Sequence, residues 1–240
     1  DITAYNKKDV SDLVDSLGNF GSYIFISSSA VYPETLPQPF KETDKTGFNS
    51  VWGDYGKNKI EAEEYLQSRI PNAYIIRPPY LYGAMNNLYR EAFVFDCASE
   101  NRSFFLPNYY NSEKGKIPLQ FFDVEDLCRF MEVLLEKQPK EHIFNVGNTE
   151  ITDVKGWVDL CYNVLGKKPR FEYVSGDINQ RNYFPFYNYG YILDTRSQNA
   201  LMPGLKPLNT GIEQSFEWYI NNKDKVYRKN YIEFIDKNFK

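Results

Sequence analysis

The sequence predicts an α/β protein built around a parallel sheet. Three observations carry that reading. Short, largely apolar runs alternate with amphipathic stretches up to about residue 148, the order expected of strand–helix units. The runs are apolar rather than alternating, as strands covered on both faces are. Three of the runs end at Ser27-Ser28-Ser29, at Pro78-Pro79 and at Gly147, residues that break the pattern.

Residues 1–5 read as the tail of a strand entering a helix. That helix covers residues 8–17, with Val10, Leu13, Val14 and Leu17 at helical spacing and Gly18 as the stop. Residues 23–26 are a buried strand ending in Ser27-Ser28-Ser29. A loop with Pro33, Pro37 and Pro39 follows, then a helix over 55–67 with Ile60, Ala62 and Leu66 on its apolar side. Residues 73–77 form the next strand, stopped by Pro78 and Pro79. A helix over 91–99, a loop over 108–115, a strand over 119–124, a helix over 125–136 and a strand over 143–146 complete this part. Helical stretches over 154–165 and 212–221 then flank aromatic-rich, irregular sequence. Residues 1–83 and 117–150 are expected to form the sheet domain, and 84–116 with 151–240 a smaller α/β substrate-binding region. The ring-rich stretch from Arg181 to Tyr189 either packs that region or walls a pocket.

Composition narrows the function. The 240 residues include 42% hydrophobic and 25% charged, and the net charge is −4. No run of Lys or Arg makes a basic stripe, which argues against nucleic acid as a partner. No stretch approaches the roughly 20 apolar residues of a membrane span. Cys97, Cys128 and Cys161 are odd in number and widely spaced, a pattern of reduced thiols in a cytoplasmic protein rather than of disulfides or a zinc site. His142 is the single histidine, at the start of a strand, and a structural role is expected for it. No metal site is expected.

Tyr55-Gly56-Lys57-Asn58-Lys59 puts a phenol and an ammonium one helical turn apart on one face. A phenol titrates near pH 10; a neighbouring ammonium favours the phenolate and lowers that value. Such a pair supplies a general acid/base for interconverting an alcohol and a carbonyl. Ser28, at a strand end, is placed to hold the substrate oxygen. Tyr110/Lys114 and Tyr219/Lys223 share the spacing, but the first lies in a loop and the second near a helix end. Only Tyr55/Lys59 opens a helix that follows a strand ending in hydroxyls.

The ordered series Ile26-Ser27-Ser28-Ser29-Ala30-Val31-Tyr32, Tyr55-x-x-x-Lys59 and Arg77-Pro78-Pro79-Tyr80-Leu81-Tyr82-Gly83 resembles the extended short-chain dehydrogenase/reductases of the NAD-dependent epimerase/dehydratase type. Phe121 to Leu127, Phe144 to Asn148 and Leu208 to Tyr219 resemble later segments of the same family. The resemblance implies a Rossmann-like, doubly wound parallel sheet, here without its first strands, and a small substrate-binding domain. It assigns Ser28, Tyr55 and Lys59 as catalytic. It sets Ala4, Tyr5, Ser27, Tyr55, Lys59, Pro78 and Pro79 against NAD or NADP. Ser29, Tyr80, Gln120 and Arg181 become substrate contacts, for a sugar or sugar nucleotide, and a homodimer through the helix at 55–67 and the one before it is implied.

The chain departs from that family's pattern in several places. Its glycines nowhere form the Gly-x-x-Gly-x-x-Gly turn that lets backbone approach a pyrophosphate, so cofactor binding by this stretch alone is expected to be weak. Ser29-Ala30 stands where dehydratases of the family carry an Asp-Glu pair, which argues against water elimination. Tyr80 replaces an Asn, and Leu119 an Arg, that meet the sugar diphosphate. Two other readings stay open: an RNA-binding relative of the chloroplast stem-loop-binding type, and an inactive fragment kept as an interaction module.

Overall fold

The computed structural model describes residues 1–239. In chain order the elements are α1 (Lys7–Ser16), β1 (Ile24–Ile26), α2 (Asp54–Arg69), β2 (Tyr74–Arg77), β3 (Tyr80–Tyr82), α3 (Glu91–Ser99), β4 (Phe104–Pro107) and β5 (Leu119–Asp123). Then follow α4 (Val124–Lys137), β6 (Ile143–Asn145), β7 (Ile151–Thr152), α5 (Val154–Asn163), β8 (Phe171–Val174), α6 (Arg196–Leu201), α7 (Leu208–Asn221) and α8 (Tyr231–Asn238). The chain divides into two compact units. The first is Asp1–Tyr80, Gln120–Thr149 and Tyr191–Leu205; the second is Leu81–Leu119, Glu150–Gly190 and Lys206–Lys240.

The first unit holds a parallel sheet in the order β1-β2-β6. Ile24, Phe25 and Ile26 stand opposite Tyr74, Ile75 and Ile76, and Ile75 to Arg77 opposite Ile143 to Asn145. Non-sequential neighbours running the same way require helical crossovers, and α1, α2 and α4 supply the covering layers. Val10 and Val14 of α1 and Ala62 and Leu66 of α2 pack with Phe25 and Ile75. On the other face, Phe130 of α4 meets Phe144 edge-on, ring centroids 5.5 Å apart. Each such side chain, fully buried, contributes about 1.5–3 kcal/mol relative to exposure. Asn6 caps α1 by accepting from Asp9 N at 3.0 Å, and Asp123 caps α4 by accepting from Glu125 N at 2.8 Å; each satisfies a donor that the helix start leaves open.

The segment over 191–205, expected with the substrate-binding region, belongs to the sheet unit instead. Leu193 N donates to Gln120 Oε1 at 2.8 Å, and Phe40 N donates to Ile192 O at 2.8 Å. These are non-local pairings that no periodicity announces.

The second unit is packed with rings. In it α3 lies against α5 and α7, and β4 pairs in parallel with β8. Neither strand is legible as one, because both are short and unalternating. Phe184 and Phe186 are fully buried and Tyr183 nearly so, so the aromatic stretch around them packs this unit. α8 adds Tyr231, which stacks on Tyr89 at 5.7 Å. Asp96 of α3 is buried and satisfied: it accepts from Tyr89 OH at 2.5 Å, Tyr219 OH at 2.7 Å and Arg228 Nε at 2.9 Å. His142, in the first unit, is half-buried with its ring 5.2 Å from that of Tyr74.

Candidate active site

The first turn of α2 sets the site. Gly53 precedes it at φ 51°, a left-handed conformation that favours glycine. Gly56 lets the helix approach the turn over Ser29–Val31, since a Cβ there would lie 2.4 Å from the Ala30 carbonyl oxygen. Ser28 ends β1's extension and caps that turn, its Oγ accepting from Ala30 N at 3.1 Å. Ser29 N donates to Pro78 O at 3.0 Å, which ties the turn to the end of β2. The result is a Ser28 hydroxyl near enough to the Tyr55 phenol to lower its pKa, with Lys59 one turn further along the helix.

The electrostatics differ from the sequence expectation. Tyr55 is 38% exposed as a residue, yet burial of its hydroxyl end raises the phenol above its usual range; the nearby Ser28 hydroxyl pulls it part-way back. Lys59 does not lower it. The ammonium is turned inward, where Nζ donates to Ala4 O at 2.8 Å and to Ile26 O at 2.9 Å and lies 4.7 Å from the Phe25 ring centroid. Burial in turn pushes Lys59 down to about 8, against the attraction of Glu63 and Asp9. The phenol is therefore protonated at neutral pH and equipped to donate to an oxygen, as a general acid. Coupling by proximity in sequence failed here because the two backbone carbonyls compete for the same ammonium.

The remaining sequence candidates fall into three groups. Tyr5 is exposed, its ring 6.3 Å from that of Tyr55; Ala4, Pro78 and Pro79 are buried. Tyr80 is buried in an aromatic wall with Trp52, Phe121 and Tyr191, centroids 6.3, 5.7 and 5.5 Å away. Ser27 and Gln120, expected at cofactor and substrate, have their side chains engaged in the interior. Ser27 Oγ donates to Glu63. Gln120 Nε2 donates to Asn148 O at 2.9 Å while its Oε1 takes Leu193 N, so its amide braces the fold. Arg181 lies in the other unit, where its guanidinium stacks over the Tyr187 ring at 4.3 Å.

Three residues behind the site were not picked out from the sequence: Gly56, Glu63 and Arg77. Glu63 follows Lys59 by four residues on α2 and is buried with it. Arg77, 3% exposed, donates through Nε at 3.0 Å and Nη2 at 2.5 Å to the two Glu63 oxygens. Its Nη1 donates to Tyr32 OH at 2.8 Å, and Tyr32 OH to Asn145 Oδ1 at 2.8 Å. A buried fork-to-fork pair extended by a phenol and an amide satisfies its own polar atoms. The i, i+4, i+8 repeat of Tyr55, Lys59 and Glu63 is the signal that would have found the carboxylate.

A parallel sheet with helices on both faces and polar side chains gathered at the carboxyl ends of its strands defines the Rossmann-like class. The chain belongs to the NAD dependent epimerase/dehydratase family, whose model matches residues 5–147. Among curated proteins it is 26% identical over 212 residues to the chloroplast stem-loop binding protein of 41 kDa b of Arabidopsis thaliana, covering 86% of this chain and 53% of that protein. Among solved structures, UDP-glucuronic acid 4-epimerase from Bacillus cereus superposes with TM-score 0.67 at 16% identity, over 90% of this chain and 67% of the other. UDP-glucose 4-epimerase from Thermotoga maritima gives TM-score 0.65 at 21% identity, over 84% and 64%. The chain thus spans about half the length of its curated relative.

Proposed function

We propose that this chain serves NAD(P)-dependent epimerisation or reduction of a sugar or sugar nucleotide, with Tyr55 as the proton donor and acceptor. The observation that carries the reading is the placement of the Ser28 hydroxyl near the Tyr55 phenol, close enough to lower its pKa, at the carboxyl end of β1, in a chain of the epimerase/dehydratase family. In this reading a substrate oxygen sits between the Ser28 hydroxyl and the phenol. Ser28 orients it, and Tyr55 gives it a proton as a carbonyl becomes an alcohol, or takes one in the reverse direction. Ser29 and Tyr80 are assigned to the substrate.

The residues present fit the nicotinamide–ribose end of a dinucleotide. An ammonium has three donors; two of Lys59's go to Ala4 O and Ile26 O, which leaves one for a ribose hydroxyl. Tyr5, Pro78 and Pro79 are assigned to flank the ring. Bound nicotinamide would supply the hydride acceptor and donor. The glycine turn that meets a pyrophosphate is not among these residues. The test is Tyr55→Phe, followed by conversion of a UDP-hexose to its epimer and, for the reduction, by consumption of reduced nicotinamide. Turnover should fall about 10²–10⁴-fold with cofactor affinity unchanged; equal turnover would remove Tyr55 from the chemistry.

A second reading is RNA binding, favoured by the stem-loop binding relative and opposed by the net charge of −4. Retention of a labelled RNA stem-loop that weakens steeply with salt, without nicotinamide turnover, would favour it.

A further inference from the structure

In the first unit, the buried Glu63–Arg77 pair is linked to the residues of the site through one side chain, that of Ser27. Glu63 sits one turn beyond Lys59 on α2. Its Oε1 takes two donors, Ser27 Oγ and Arg77 Nε at 3.0 Å. Ser27 is 3% exposed and stands between two residues that the site uses. Before it is Ile26, whose carbonyl takes Lys59 Nζ at 2.9 Å; after it is Ser28, whose hydroxyl lies near the Tyr55 phenol. The backbone of this stretch is tied to β2, by Ser27 N to Ile76 O at 2.7 Å and by Ser29 N to Pro78 O at 3.0 Å. Arg77, which holds the carboxylate, is itself the last residue of β2. α2, the end of β1 and the end of β2 are thereby closed into one polar ring. Burying an ion pair is a poor way to gain stability, since apolar residues of the same volume often do as well or better. It is a good way to fix directions, because two parallel hydrogen bonds between planar groups admit one geometry.

We propose that Glu63 is a positioning residue: by accepting from Ser27 it fixes the backbone from Ile26 to Ser28, and so holds the Ile26 carbonyl on Lys59 and the Ser28 hydroxyl at Tyr55. The proposal rests on the acid/base reading of Ser28 and Tyr55 given above. Glu63 acts through Ser27 and takes no part in the proton transfer. It also supplies charge. The charged and titratable groups that face Lys59 are Glu63 on α2, Asp9 on α1, the amino group of Asp1, and Tyr5, whose ring centroid is 5.4 Å from Nζ. Glu63 and Asp9 favour the ammonium against the burial that brings it down to about 8. Of the two, Glu63 is buried and Asp9 exposed, so water and salt screen Glu63 less.

The test is the titration of the Lys59 side chain, followed by NMR at its ε-carbon in isotope-labelled protein. In the unaltered protein the midpoint should lie at about 8. Glu63→Gln removes the charge while keeping an acceptor for Ser27, and should lower the midpoint by roughly one pH unit. Asp12→Asn, at an exposed carboxylate of α1 paired with Lys8, should leave it in place. Ser27→Ala keeps the Glu63–Arg77 pair whole and removes the link alone. It should lower turnover of a UDP-hexose about tenfold with KM little changed. The Lys59 midpoint should fall in it too, because a loosened Ile26 carbonyl favours the ammonium less. A midpoint unmoved in Glu63→Gln would overturn the proposal; where that variant does not fold, a midpoint unmoved in Ser27→Ala would. So would a Ser27→Ala turnover reduced no further than its folded fraction explains. An unaltered protein that converts no UDP-hexose sinks the reading of Tyr55 instead, and the Lys59 midpoints then decide this proposal alone.

Discussion

Removing the Glu63 carboxylate should be among the most damaging single changes to the sheet unit. Arg77 and Glu63 have side chains 4% exposed each. In Glu63→Ala the guanidinium loses its Nε and Nη2 acceptors, and Ser27 Oγ loses its own. Arg77 keeps only the Tyr32 hydroxyl at 2.8 Å and a marginal contact to Glu42 O at 3.5 Å. Because a guanidinium stays protonated at any ordinary pH, the charge cannot be relieved by deprotonation and stays in the interior. Breaking a buried pair in this way costs about 3–5 kcal/mol. That is a large part of the roughly 5–15 kcal/mol that holds an ordinary domain together. At about 2–4 °C per kcal/mol for a chain of this size, the melting temperature should fall by roughly 6–20 °C. Urea denaturation of the wild type, Glu63→Ala, Arg77→Met and the double variant measures the coupling. The double variant should recover more than half of the loss, since it removes both charges. A single-variant cost under about 1 kcal/mol, or a double variant as unstable as the sum, would refute the reasoning.

Two further outcomes follow from the same side of α2. Gly56→Ala would drive a Cβ onto the Ala30 carbonyl oxygen; backbone cannot rotate out of the way as a side chain does. A loss of about 1–3 kcal/mol is expected, with turnover falling by more than the stability change explains, because the helix start that carries Tyr55 must move from Ser28; paired denaturation and kinetics test this. Lys59 gives a pH signature. Its folded value, about 8, lies below the unfolded value near 10.4, so above pH 8 the unfolded chain binds more protons. Stability should rise from pH 8 toward 10 relative to Lys59→Met, by at most about 3 kcal/mol. The carbonyls of Ala4 and Ile26 favour the ammonium and trim the gain. A flat difference between the two proteins over that range would show that the ammonium is not desolvated.

Much of the sheet unit was legible in the sequence because its signals are local. Val10 and Val14, or Ala62 and Leu66, recur at helical spacing, and the apolar runs at 23–26, 73–77 and 143–146 are stopped by serine, proline or glycine. The structure moves their ends by a residue or two; α2 begins at Asp54 rather than Tyr55. Hydrophobic period and chain breakers act within a few residues, so they survive without tertiary information. The candidates Ser28 and Tyr55 were found the same way, from a strand end and a helix start.

What only the tertiary structure decided depends on groups distant along the chain competing for one another. The spacing of Tyr55 and Lys59 promised a lowered phenol. Ala4 and Ile26 lie far from Lys59 in sequence, and their carbonyls draw the ammonium inward. Gln120 and Ser27 looked like free polar contacts until Asn148, Leu193 and Glu63 arrived at them. Hydrogen bonds and charges are satisfied across space, and no pattern along the chain records which partner wins.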